Sequence, residues 1–189
     1  MKKLISGVIL VASLVGAGIS SKLNVKNHSH DFRKEFIPTT IVSDGVPLEL
    51  KVPVYSFDEV PAGYCARYAR LVAESLFEEK FVPENAWNLR YSNKVVKDLD
   101  RNNLANLIRD GEIKPGMILG IYNPNSLNNL RSDKSGRKIK YSHVGLYLGT
   151  NSFGEGLVAH QYIKDTKVES ISDLELEGLI LKEVIAPKD

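Results

Sequence analysis

The chain has 189 residues, of which 43% are hydrophobic and 25% are charged, and its formal net charge is +2 at pH 7. This length suits a single domain with a substantial core, and the composition is that of an ordinary globular protein. The near-neutral balance excludes nucleic-acid binding driven by bulk charge, and the hydrophobic content excludes a largely disordered chain.

The first twenty residues have the layout of a secretory signal peptide. Lys2 and Lys3 precede an apolar run from Leu4 to Val15, and small residues follow, which places cleavage after Ala17 or Ser20. The apolar run is too short to span a bilayer comfortably, so we expect no stable membrane span after cleavage. An uncleaved N-terminal anchor remains the alternative. The pattern predicts an exported protein that is periplasmic, associated with the cell wall, or secreted.

Residues 21–45 read as a polar arm or linker with a short strand, ahead of a single domain over residues 46–189. His28 and His30 have a spacing that can grip a metal ion, but such a pair in a polar arm is more often solvated, and we predict no metal site. Further on, "TTIVSDGVPLELKVPVYSF" alternates apolar and polar residues around Asp44 and Gly45. This pattern predicts a short strand or a hairpin with an Asp-Gly turn.

The only cysteine of the chain, Cys65, comes at the start of a predicted amphipathic helix from about Tyr64 to Lys80. A single thiol is either small core filler or a reactive group, and an unpaired cysteine in an exported protein favours the second interpretation. Free N–H groups and the helix dipole favour a negative charge at this position. They lead us to expect a lowered thiol pKa.

Downstream, "KDLDRNNLANLIRDG" (97–111) is typical of a second helix that ends at a glycine. The pattern then changes to strands, in "GMILGIYNP", "KYSHVGLYLG", "EGLVAHQYIK" and "LEGLILKEVIA". A long polar segment, 123–140, separates the first two, and its basic residues could meet carboxylates of a substrate. Helices followed by consecutive strands predict an α+β fold with a mostly antiparallel sheet or small barrel packed on the cysteine helix.

A cysteine nucleophile needs a base, and two strand histidines are candidates. His143 begins one predicted strand and His160 lies in the next. If the strands form a hairpin with a tip at 149–154, the two histidines lie directly opposite each other on one face. His143 could then accept the thiol proton while His160 orients it, as the third member of a triad does.

These motifs resemble the NlpC-type branch of papain-fold cysteine peptidases, whose general plan the CHAP amidases share. The resemblance covers roughly Val54 to Ala186 and is carried by the cysteine at the head of a helix, "IKPGMILGIY", "HVGLYLG" and "LVAHQ". The chain departs from the family in two places. It reads Tyr64-Cys65-Ala66-Arg67 where Asp-Cys-Ser-Gly is frequent, and it has Met117 where an aspartate commonly stands.

The resemblance implies a papain-like fold and hydrolysis of amide or peptide bonds in peptidoglycan, without a cofactor, by Cys65, His143 and His160. Tyr55, Tyr64 and Gln161 become candidates for oxyanion or supporting roles, and the expected partner is a cell-wall peptide rather than a nucleic acid. An acyltransferase or deamidase effector on the same fold, or a wall-binding module without catalysis, remains the alternative. The scissile bond and the oligomeric state are left open.

Overall fold

The computed structural model describes residues 35–55, 60, 64–100, 103–127, 129–130, 139–162 and 165–188. The predicted signal peptide and the two arm histidines, His28 and His30, lie outside these residues. Among the helices of the described residues, none is long and apolar enough to cross a membrane.

The described residues form an α+β structure around one antiparallel sheet of eight strands. Its eight strands are β1 (Phe36–Ser43), β2 (Val46–Pro53), β3 (Lys94–Asp98), β4 (Ile118–Tyr122), β5 (His143–Thr150), β6 (Gly156–Tyr162), β7 (Asp165–Ser170) and β8 (Ile180–Ala186). The order is β2-β1-β5-β4-β8-β3, and β6 pairs with both β5 and β7. Four α-helices accompany it: α1 (Cys65–Phe77), α2 (Leu89–Ser92), α3 (Leu104–Arg109) and α4 (Ile171–Leu176), with a 3₁₀ turn at Ala86–Asn88. The predicted α+β class with a mostly antiparallel sheet is confirmed.

The predicted Asp-Gly hairpin is present as β1 and β2. Asp44 and Gly45 both have positive φ angles, 52° and 78°, as a tight two-residue turn between right-twisted strands requires. β1 pairs with β2 along its whole length, from Phe36 opposite Pro53 to Ser43 opposite Val46. The predicted division between residues 45 and 46 falls inside this hairpin, between two paired strands of the same sheet.

Two apolar clusters fill the two sides of the sheet. The first lies under α1, where Tyr68, Ala69 and Val72 pack against β-strand residues such as Val144 and Leu146. The second lies on the opposite side under α3 and α4. Burial on both sides explains why β5 is buried over seven of its eight residues, since a strand covered on both faces has no side open to water. The sheet is therefore a rigid base for the start of β5.

The predicted helix over residues 97–111 is wrong in its first half. Lys94–Asp98 is instead a strand, β3, that pairs with β8. The helix is delayed because Asp100 and Asn103 cap each other: the Asn103 N–H donates to Asp100 Oδ1 at 2.9 Å, and the Asp100 N–H donates to Asn103 Oδ1 at 3.0 Å. Such side-chain caps start a helix rather than continue one.

Sequence reasoning also missed β7 and α4. Ser170 and Asp173 form a capping box at the start of α4, in which the Ser170 hydroxyl accepts from the Asp173 N–H. The Ser-x-x-Asp spacing is a recognisable start signal for a helix, so this element was visible in the sequence. The strand before it is short and half-buried, and it carries a residue that matters for the site described next.

Candidate active site

Cys65 is the first residue of α1 and is only 4% exposed. The first N–H groups of a helix have no intrahelical acceptor, and the residue before Cys65, Tyr64, supplies no side-chain cap for them. The backbone of Val144 lies close enough to the cysteine sulfur for its N–H to lower the thiol pKa. The thiol therefore lies against the start of β5, beside the residue that follows His143.

His143 and His160 are neighbours, but not in the predicted register. β5 and β6 pair as Leu146 opposite Ala159 and Tyr147 opposite Val158, which is a shift of two residues from the predicted pairing of His143 with His160. At the tip the strands pair as Thr150 opposite Gly156, which is three residues from the predicted register, and the one-residue bulge between Tyr147 and Gly149 reduces this difference to two. Direct opposition of the two histidines was thus a wrong prediction.

A shift of two residues keeps both histidines on the same face, so they still meet diagonally. His143 Nε2 lies 3.0 Å from His160 Nδ1, and their rings are edge-to-face with centroids 5.1 Å apart. The approach depends on Gly145, because a Cβ there would lie 2.4 Å from a methyl of Val158 and 3.3 Å from the His160 Cβ. The glycine of "HVGLYLG" is therefore required by packing around the histidine pair.

The structure adds a residue that sequence reasoning did not identify. His160 Nε2 lies 2.6 Å from Oε2 of Glu169, on β7, and Lys167 Nζ lies 3.0 Å from the other carboxylate oxygen. Because Val158 is opposite Glu169 and His160 is opposite Lys167, the glutamate reaches the histidine diagonally. A two-residue hairpin after Tyr162 would have predicted this contact, but β7 itself was not recognised.

The contacts of Glu169 determine the tautomers of both imidazoles. Burial raises the pKa of Glu169, but hydrogen bonds from Lys167 and His160 outweigh burial and hold that pKa below its ordinary value. An ionised carboxylate only accepts, so the neutral His160 carries its proton on Nε2 and accepts on Nδ1. His143 must then donate from Nε2. Its Nδ1 remains unprotonated and is the ring nitrogen left to accept a proton from a thiol.

The thiol and the imidazoles are all neutral in this arrangement. Burial raises the pKa of Cys65, and the N–H groups of Val144, Ala66 and Cys65 itself offset only part of this shift. The expectation of a lowered thiol pKa is therefore wrong, because loss of water outweighs the helix terminus. Burial, assisted by the nearby His160, lowers the pKa of His143 to about 3. Burial also lowers the pKa of His160, against the opposing effect of the hydrogen bond that its Nε2 donates to Glu169.

The three residues predicted to support the site have different positions. Tyr64 is 52% exposed and lines the cleft beside Cys65. Gln161 also lines the cleft, but it points to the opposite side of β6 from His160, and its Nε2 donates to the Val60 carbonyl at 3.0 Å. Tyr55 packs edge-to-face on Tyr68, with ring centroids 6.0 Å apart, and is not among the described residues that line the cleft. Only Tyr64 and Gln161 are thus near the thiol.

Tyr162 is a second residue that the sequence did not single out. Its ring lies edge-to-face against both His143 and His160, with centroids 5.9 Å and 6.5 Å away. Its hydroxyl accepts a hydrogen bond from Asn123 Nδ2 at 3.3 Å. Tyr162 therefore packs on the histidine pair and connects it, through this hydrogen bond, to the segment that follows β4.

Cys65 and His143 line one open cleft of about 890 Å³. The start of the long polar segment, Asn123 to Leu127, forms part of its wall. At the other end of that segment Lys140 is paired with Asp98 and, at 2.8 Å, with the buried Glu183, so it is engaged within the protein. The four other basic residues of the segment, 131, 134, 137 and 138, lie outside the described residues.

Among the described residues, no group of three or more histidines, cysteines and acidic residues is arranged to hold a metal ion. Comparison of the chain with models of known protein families, with curated proteins and with solved structures found no match. The geometry of the described residues therefore carries the functional argument.

The lowered pKa of His143 predicts that the protein loses stability in mild acid. Between about pH 6.5 and pH 3 the unfolded chain binds a proton at this histidine that the folded chain does not bind. The unfolding free energy must then fall as the pH falls, by about 2 kcal/mol between pH 7 and pH 5 for one such group. We expect urea unfolding of the wild type to show this loss, and the His143→Gln variant to lose about 2 kcal/mol less. Equal losses in the two proteins would contradict the buried, neutral state of His143.

Proposed function

We propose that this protein is an exported cysteine hydrolase with a papain-like plan that cleaves amide or peptide bonds of peptidoglycan. The observation that carries the chemistry is the chain of contacts from Glu169 through His160 to His143, which leaves an unprotonated nitrogen on His143 in the cleft that Cys65 also lines. A cysteine at the head of a helix, packed on an antiparallel sheet that presents the histidine at the start of a strand, supports the papain-like plan. The peptidoglycan substrate and export rest on the sequence resemblance and the N-terminal pattern.

The proposed reaction begins when the Cys65 sulfur attacks the amide carbonyl carbon as His143 Nδ1 takes the thiol proton. Because both groups are neutral beforehand, the proton moves during the attack rather than before it. The N–H groups at the start of α1, including that of Cys65, stabilise the oxyanion. His143 then gives its proton to the nitrogen of the breaking C–N bond, and the amine leaves.

A thioester between Cys65 and the acyl part of the substrate remains. Water attacks it while His143 Nδ1 accepts a proton from that water. The C–S bond breaks, the acid is released, and the proton returns to the sulfur. His160 and Glu169 act as positioning residues in this scheme, because their contacts keep Nδ1 of His143 unprotonated and hold the ring through its Nε2.

Digestion of purified peptidoglycan fragments by the full chain, followed by mass spectrometry, tests this function. Hydrolysis adds one water across a linkage, whereas acyl transfer joins the acyl group to an added amine and deamidation converts a side-chain amide without cutting the chain. The Cys65→Ala protein is the matched control. Unchanged fragments with wild-type protein would favour a binding module, and transfer products would favour the acyltransferase alternative.

Glu169 provides a prediction that separates tautomer control from simple packing. In Glu169→Gln, Lys167 can only donate, so the new amide oxygen faces Lys167 and its NH₂ group faces His160. His160 must then accept on Nε2 and donate from Nδ1, which places the proton of His143 on Nδ1, the nitrogen that the proposed reaction needs as proton acceptor. We expect kcat to fall about 10²-fold, because a wrong tautomer blocks the base.

A comparison of Glu169→Gln with Glu169→Ala makes the test specific, because the smaller change in structure should cause the larger loss of activity. Glu169→Ala leaves the tautomers free and should lose less activity than Glu169→Gln, although it removes more atoms. The double variant Lys167→Met/Glu169→Gln lets the amide rotate and should recover part of the loss. A larger loss in Glu169→Ala than in Glu169→Gln would show that the glutamate acts through packing alone.

A further inference from the structure

Two arginines of α1 line the same cleft as the thiol. Arg67 and Arg70 are three residues apart, so their side chains emerge on one face of the helix, about 60° apart around its axis. Neither arginine has a role in the proposed mechanism, which uses Cys65, His143 and His160. They extend the cleft along α1, away from the thiol.

Neither guanidinium is neutralised by the part of the protein that the structure describes. No carboxylate of the described residues forms an ion pair with Arg67 or Arg70, and the Nε of Arg70 is buried without a hydrogen-bond partner. Burial and the neighbouring Arg67 both lower the pKa of Arg70, so each opposes its charge, while Glu74 supports that charge only at longer range. A partly buried cation without a partner is costly, and a like charge beside it adds to the cost.

The acidic content of this part of the cleft is low. Glu84 is the one acidic residue among the described lining residues, and its Oε1 already accepts from the Ser92 hydroxyl at 3.1 Å. The remaining polar lining includes the amide side chains of Asn85, Asn123 and Asn125, which can bind the N–H and C=O groups of a peptide. Within the described residues, the cleft thus combines peptide-like donors and acceptors with two guanidinium groups that form no ion pair.

We propose that Arg67 and Arg70 form a subsite for a carboxylate of the substrate, so that the preferred substrate of the proposed hydrolase is an acidic peptide. This inference rests on the proposed function. Guanidinium groups bind carboxylates with two parallel hydrogen bonds, which supplies both affinity and orientation. The Cα atoms of residues five apart in a helix are about 9 Å apart. Once the reach of the arginine side chain is added to this separation, the bound carboxylate lies within about 15 Å of the scissile carbonyl. This distance corresponds to about four residues of extended peptide.

Binding to the Cys65→Ala chain, in which turnover is blocked, tests the subsite by isothermal titration calorimetry. The probes are acetylated and amidated pentapeptides of alanine that carry one glutamate at each successive position, together with the same set carrying glutamine. We expect the best glutamate peptide to bind at least about tenfold more tightly than its glutamine counterpart. Arg70→Gln and Arg67→Gln should each remove most of this difference in affinity. The control is Arg109→Gln, because Arg109 is an exposed residue of α3 outside the cleft, and this variant should leave the difference unchanged.

Equal affinities for the glutamate and glutamine peptides would overturn the subsite. A phosphoserine peptide or inorganic phosphate that binds more tightly through the same two arginines would overturn the assignment to carboxylate. The proposed hydrolase is tested separately by turnover in the chain that retains Cys65. Absence of turnover with a preserved preference for glutamate would reject the hydrolase and keep the subsite, and turnover without any preference would do the opposite.

Discussion

Replacing Cys65 by alanine is expected to reduce amide hydrolysis by at least about 10⁴-fold while the protein stays folded. The reason for the loss is chemical, because alanine cannot form the thioester on which the proposed reaction depends. The cost in stability is small, about 1 kcal/mol, since a single sulfur atom is removed from the first turn of a helix at the edge of a cleft. Turnover of wall fragments and the midpoint of urea unfolding measure the two effects.

A matched control comes from the same helix. Val72 is fully buried on the inner face of α1, so Val72→Ala should lower stability more than Cys65→Ala does, while it keeps most of the activity. Cys65→Ser should resemble Cys65→Ala in activity, because a hydroxyl is a much weaker nucleophile than a thiol in this setting. If Cys65→Ala retained more than a tenth of the wild-type rate, the cysteine would be core filler and the proposed mechanism would be wrong.

Replacing His143 by alanine is expected to lower kcat by about 10³-fold or more, nearly as much as loss of the cysteine. In the proposed reaction the Nδ1 atom of His143 is the base in the attack and the acid in the departure of the amine, and the other ring nitrogens of His143 and His160 are engaged with each other and with Glu169. His160→Ala should lose less, because it removes the orienting contact at 3.0 Å but leaves the base in place. Kinetic constants for both variants on one defined substrate check this order.

Two further measurements separate loss of the base from loss of packing. Members of one catalytic unit are not additive, so Cys65→Ala/His143→Ala should be no slower than Cys65→Ala alone. Free imidazole should restore part of the activity of His143→Ala, because the vacated position borders the open cleft. Full activity in His143→Ala would remove His143 from the mechanism, and Nδ1 could no longer be regarded as the proton acceptor.

Local patterns predicted the elements that their own residues determine. The alternation around Asp44-Gly45 predicted the β1–β2 hairpin, and the apolar spacing after Cys65 predicted α1 to within three residues at its end. The second predicted helix failed where a side-chain cap at Asp100 and Asn103 delayed the helix and the preceding residues joined β8. That pairing is between residues about 90 positions apart, which no local pattern contains.

The site shows the same division. The sequence by itself determined that one thiol begins a helix and that two histidines lie in consecutive strands with a short connection, because these facts depend on residue type and local periodicity. Only the tertiary structure decided that those strands pair two residues away from direct opposition of the histidines, that Glu169 from a third strand sets the tautomers, and that burial raises the pKa of Cys65 while it lowers that of His143. Register and desolvation arise from contacts between distant segments, since they depend on which residues surround an atom rather than on which residues adjoin it in the chain.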